Sequence, residues 1–79
     1  LDLDLKDKAY HYVSLLQTDD SEAIAQLYLK CNQLGFQETG IFVTESMDLC
    51  LYLAKFKDLN EAQKYLKSIK AQFPRAKIE

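Results

Sequence analysis

Leu49, Leu51 and Leu53 alternate with Cys50, Tyr52 and Ala54, a period of two that predicts a strand with two unlike faces. The period then lengthens. Leu59, Ala62, Leu66, Ile69 and Phe73 recur at three and four, the buried stripe of an amphipathic helix. Asp58 stands at the join, and Glu61 three residues later completes a capping box. An earlier stretch repeats this change of period. Residues 10–16 read as a strand with Val13 and Leu15 on one face. A helix from about Asp20 to Leu34 follows, burying Ala23, Ile24, Leu27, Cys31 and Leu34, and Gly35 ends it as a left-handed cap. Asp19, Glu22, Ala23 and Leu27 match Asp58, Glu61, Ala62 and Leu66 at an offset of 39, whereas the strands match at 38. The pattern predicts a duplicated strand–helix unit whose second turn is one residue longer.

The remaining segments complete the order. Residues 36–43 form a strand with Ile41 and Val43 inward and Glu38, Gly40 and Phe42 outward, and residues 44–48 form a hairpin loop. Pro74 stops the second helix, and residues 75–79 make a last strand with Ala76 and Ile78 buried. Leu1, Leu3 and Leu5 alternate with Asp2, Asp4 and Lys6, which suits a short edge strand or a tail; residues 1–9 are read as a tail and 10–79 as the domain. Strand, helix, strand, strand, helix, strand predicts an α+β two-layer sandwich. It is a split β-α-β, ferredoxin- or RNP-like fold with both helices on one face of a four-stranded antiparallel sheet. The opposite face is expected to be open. Parity places Tyr12, Ser14, Leu16, Phe42, Cys50, Tyr52 and Ala54 on it, with Arg75 and Lys77 from the last strand.

Composition narrows the chemistry. Seventy-nine residues, 48% hydrophobic and 28% charged, suit one folded domain with a modest core. A net charge of −2 and a pI near 5.3 supply no attraction for polyanions, so nucleic acid is not an expected partner. No apolar run approaches the roughly 20 residues of a membrane span. The opening, without Met or signal peptide, reads as a domain cut from a longer protein. Cys31 and Cys50, with a single His and no CxxC, predict neither metal site nor cofactor. Cys31 falls on the core side and Cys50 on the open face, so Cys50 is the thiol expected to react, and their placement on opposite sheet faces disfavours a disulfide between them. Only Gly35 and Gly40 occur, leaving no phosphate loop, and the carboxylates sit where helix starts explain them. His11 reads as structural, with no nucleophile placed beside it. No enzymatic activity is expected.

The aromatic residues of the open face are the informative feature. Rings beside small hydroxyls stack on sugars or bases, while the plainer reading makes them β-formers that bury against a partner copy or the N-terminal tail. Here the chain resembles a bacterial family. Leu51-Tyr52-Leu53-Ala54-Lys55-Phe56 with Ala62, and Val13-Ser14-Leu15-Leu16 with Ala23, are similar to the repeated V-x-V-G-x-F strand and capped helix of SPOR domains, the sporulation-related repeat family. Leu34-Gly35-Phe36 and residues 73–78 (FPRAKI) resemble its helix-ending and closing-strand motifs. The likeness covers about residues 10–79. It implies a non-catalytic module that binds peptidoglycan glycan strands lacking stem peptides and targets its parent protein to the division septum, in the periplasm or cell envelope. The binding surface it implies is Tyr12, Ser14, Leu16, Phe42, Cys50, Tyr52, Arg75 and Lys77. The family's sheet-face Gln falls on Ser14 and its frequent Arg on Cys50, and Leu16 and Ala54 stand where glycines are usual. The alternatives are an RNA-recognition motif, with aromatics at Tyr12 and Tyr52, and a protein-interaction or homodimer module using the open face.

Overall fold

The computed structural model describes residues 3–79. The chain runs β1 (Leu3–Leu5), β2 (His11–Thr18), α1 (Ser21–Gln33), β3 (Gly40–Val43), β4 (Leu49–Phe56), α2 (Leu59–Ile69) and β5 (Lys77–Ile78). The fold is α+β, with two helices and one five-stranded mixed sheet in the order β1-β3-β4-β2-β5. Pairings β3–β4, β4–β2 and β2–β5 are antiparallel, and β1 lies parallel to β3. The expected four-stranded antiparallel sheet therefore gains a parallel edge strand. Residues 3–5 are not a free tail, because the outer edge of β3 carries unpaired backbone groups that Leu3, Asp4 and Leu5 take up opposite Ile41, Phe42 and Val43. Leu1 and Asp2, which share the predicted alternation, lie outside the described residues.

The helix ends follow local chemistry. The Asp20 carboxylate accepts from the backbone N–H groups of Glu22 and Ala23 at 3.0 and 3.2 Å, and that of Asp58 accepts from Asn60 at 2.9 Å. Glu61 sits in the first turn of α2, where its charge favours the helix dipole. Gly35 has φ of 96°, and the N–H groups of Phe36 and Gly35 close on the carbonyls of Cys31 and Asn32 in a Schellman motif. Asp20, not Asp19, is thus the first cap. The repeat offset is 38 throughout, relating His11–Thr18 to Leu49–Phe56, Asp20 to Asp58, Ile24 to Ala62 and Cys31 to Ile69. The expected extra residue in the second turn is absent. Other elements are shorter than predicted, β5 among them, which holds only Lys77–Ile78 of the expected 75–79. Residues 36–39 turn, closed by Thr39 Oγ1 donating to the Phe36 carbonyl, before β3 begins at Gly40. Helix α2 ends at Ile69, ahead of Pro74.

Both helices cover one face. Ile24 and Cys31 of α1 and Ala62 and Ile69 of α2 pack on Val13, Ile41, Leu51 and Leu53 in one buried cluster. Leu27, Leu66 and Phe73 are half-buried around it, while Leu34, expected inside, is exposed at the cap of α1. Strict alternation fails at two places along the central pair. Val13 faces Ala54 but Ser14 faces Tyr52, which leaves Leu53 as an extra residue; Ser14 faces Tyr52 but Leu16 faces Leu51, which leaves Leu15 as another. These are two one-residue β-bulges at equivalent positions of the repeat, 15/16 and 53/54. Each turns two consecutive residues to the helix side. Leu16 therefore packs on the helix-side core together with Leu15, and Ala54 pairs with core-facing Val13. Neither joins the opposite face as parity predicted.

Candidate functional site: a covered aromatic face

Opposite the helices lies a second buried cluster, made of Tyr12 from β2, Phe42 from β3, and Cys50 and Tyr52 from β4. Adjacent strands bring these side chains together because each lies on the same side of the pleat. The ring centroids of Tyr12 and Phe42 are 4.8 Å apart, those of Tyr12 and Tyr52 4.9 Å, and those of Phe42 and Tyr52 6.1 Å. Gly40 makes room for this. It pairs with Tyr52 across the sheet, and a Cβ there would overlap the Tyr52 ring and hydroxyl.

The face is not open. Tyr12 is 1% exposed, Phe42 2%, Tyr52 4%, Ser14 2% and Cys50 0%. The N-terminal segment crosses over them. The Tyr52 hydroxyl donates to the Asp4 carboxylate at 2.7 Å, and the Asp7 N–H donates to the Tyr12 hydroxyl at 2.9 Å. The Lys6 ammonium sits 5.7 Å from the centre of the Phe42 ring. Tyr10 lies 6.4 Å from Tyr12, with the Lys55 ammonium 4.7 Å from its own ring. At the other side the C-terminal residue closes the edge. Glu79 exchanges backbone hydrogen bonds with Tyr12, and Ser14 Oγ donates to the Lys77 carbonyl at 3.3 Å and to Glu79 Oε1 at 3.4 Å.

Of the residues predicted for this face, Tyr12, Ser14, Phe42, Cys50 and Tyr52 come together, and Lys77 joins them opposite Ser14 at the β5 edge. Leu16 and Arg75 do not. Arg75 precedes β5 and lines a cleft of about 290 Å³ on the helix side with Leu15, Leu27 and Phe73. The bulges bring in residues that parity missed. Gln17 pairs with Cys50, and Lys55 with Tyr12. Asp4, Lys6, Asp7 and Glu79 were missed as well, and the Leu/Asp alternation of residues 3–5 was the one signal for the first of them. Between the N-terminal segment and the β3–β4 hairpin an open groove of about 830 Å³ remains, lined by Lys6, Lys8, Gln17, Met47 and Glu79.

Burial sets the electrostatics. It pushes the Cys50 thiol up to about 11, with the Glu79 charge adding to the effect, so Cys50 is a protected neutral thiol and not the reactive one expected. Burial also raises Cys31. Tyr52 is raised well above the usual tyrosine range, first by burial and then by donating its proton to Asp4. Among the described residues the face brings together rings, hydroxyls and an amide, and no activated nucleophile. Among the described residues no group of three or more His, Cys, Asp or Glu is placed to hold a metal ion, and no helix is long and apolar enough to cross a membrane. Compared with protein-family models, with curated proteins and with solved structures, the chain matches none.

Proposed function

We propose that the chain is a non-catalytic glycan-binding module of the SPOR type, with a ferredoxin- or RNP-like split β-α-β core. It would recognise peptidoglycan strands at the division septum from within the periplasm or cell envelope. One observation carries the reading: three aromatic rings from three neighbouring strands gather on the sheet face away from the helices, with Ser14 and Lys77 beside them. Aromatic faces stack against the C–H faces of sugar rings, and neighbouring hydroxyl, amide and ammonium groups hydrogen-bond the sugar hydroxyls. The sequence resemblance supplies the ligand class, and the duplicated strand–helix unit with its paired bulges supports the same reading.

The nucleic-acid alternative has less support. Asp4 and Glu79 bring carboxylates to the same face, where they would repel a phosphate backbone. The dimer alternative would need the same covered face, and no further observation favours it. Sedimentation with insoluble peptidoglycan, intact and after amidase treatment, tests the proposal. Retention several-fold higher on the amidase-treated material is expected, and equal background retention on both would refute it.

A further inference from the structure

We propose that residues 3–9 form a displaceable cover which competes with the ligand for the aromatic face and leaves the helix-side core folded when it lifts. The inference deepens the glycan-binding reading and rests on it for the ligand.

The two buried clusters have no residue in common, so uncovering one need not disturb the other. The cover buries the rings without burying itself. Every residue from Leu3 to Ala9 is exposed, Leu3 at 53% and Leu5 at 86%. Few apolar contacts therefore hold it. Its ties are a three-residue parallel pairing with β3, the Asp4–Tyr52 and Asp7–Tyr12 hydrogen bonds, and Lys6 over Phe42. Segments held this way open with the least free energy, ahead of the global transition. The ties also imitate a ligand. A carboxylate and an amide satisfy the two tyrosine hydroxyls and a cation sits on a ring face, places that hydroxyls and C–H groups of a sugar can take. A ligand that binds only the uncovered state gains affinity when the cover is weakened, in proportion to the open fraction.

Cys50 supplies a reporter that needs no ligand, since it lies in the covered cluster while Cys31 lies in the helix-side core. Labelling by a thiol reagent is followed at both cysteines in the wild type and in Asp4→Ala, which deprives Tyr52 of its acceptor, with Lys6→Ala as a second variant. Cys50 should label faster than Cys31 in the wild type and several-fold faster again in either variant, with Cys31 unchanged. Retention of the variants on amidase-treated peptidoglycan should rise by the same factor. Equal labelling of Cys50 and Cys31 at the rate of global unfolding, in all three proteins, would overturn the proposal. So would faster Cys50 labelling with weaker retention, which makes the segment part of the binding surface. Faster Cys50 labelling with no retention of any protein leaves the cover established and refutes the glycan reading instead.

Discussion

At Gly40 the absence of one carbon lets the Tyr52 ring lie across β3. Gly40→Ala forces that ring aside, and overpacking of this kind costs about 1–3 kcal/mol in denaturant unfolding. A strand glycine signals a close approach in the sequence, yet it does not say which side chain approaches. The buried thiol and phenol give a pH dependence. Both groups titrate higher in the folded protein, so their stabilisation is complete below the ordinary values of 9.0 for Cys50 and 10.0 for Tyr52. For Cys50 it is lost as pH rises from 9.0 through about 11. Urea unfolding at pH 8 and near pH 11 should show a loss on the order of 1–2 kcal/mol from Cys50, and Cys50→Ala should flatten that part of the profile. No pattern in the sequence foretold the shift, because Cys50 is buried in a cluster that Tyr12 of β2 and Phe42 of β3 complete from other strands.

At the scale of elements, a count of two along a strand holds until a bulge intervenes. The bulges at 15/16 and 53/54 return the central pair to its original register, so their effect is confined to which face a few residues occupy. Leu16→Lys should destabilise by at least about 2 kcal/mol by forcing a charge against the helix-side core, while Gln17→Lys stays within about 0.5 kcal/mol. Strict alternation makes the opposite forecast, and thermal unfolding of the pair decides. The caps test the repeat offset in the same way. Asp20→Ala and Asp58→Ala should each cost about 1 kcal/mol, and Asp19→Ala much less, because Asp20 is the residue whose carboxylate accepts from the first turn. Two aspartates in a row made the first cap ambiguous by one position, and with it the apparent length of the turn.

For the whole molecule, the packing of two helices on one sheet face sets where truncation hurts. Ile24 is fully buried between α1 and the sheet, while Leu27 and Leu66 are half-buried at the margin. Ile24→Ala should cost about 2–5 kcal/mol and each leucine truncation roughly half as much, measured by chemical denaturation. Helix identity, the Asp58 cap, the left-handed Gly35 and the gathering of Tyr12, Phe42 and Tyr52 on one face were all legible in the sequence. Each depends on neighbours a few positions apart, through the periods of 3.6 and 2 and the hydrogen bonds of a helix end. The tertiary structure chose an edge strand over a tail and burial under the N-terminal segment over an open face, both alternatives left open by the sequence, and it alone decided the bulges that move Leu16 and Ala54. Those depend on pairings across long separations: residues 3–5 reach 41–43, and Asp4 reaches Tyr52. No local period records such a pairing, because an edge strand and a loose tail carry the same alternation until a partner edge is free to receive one of them.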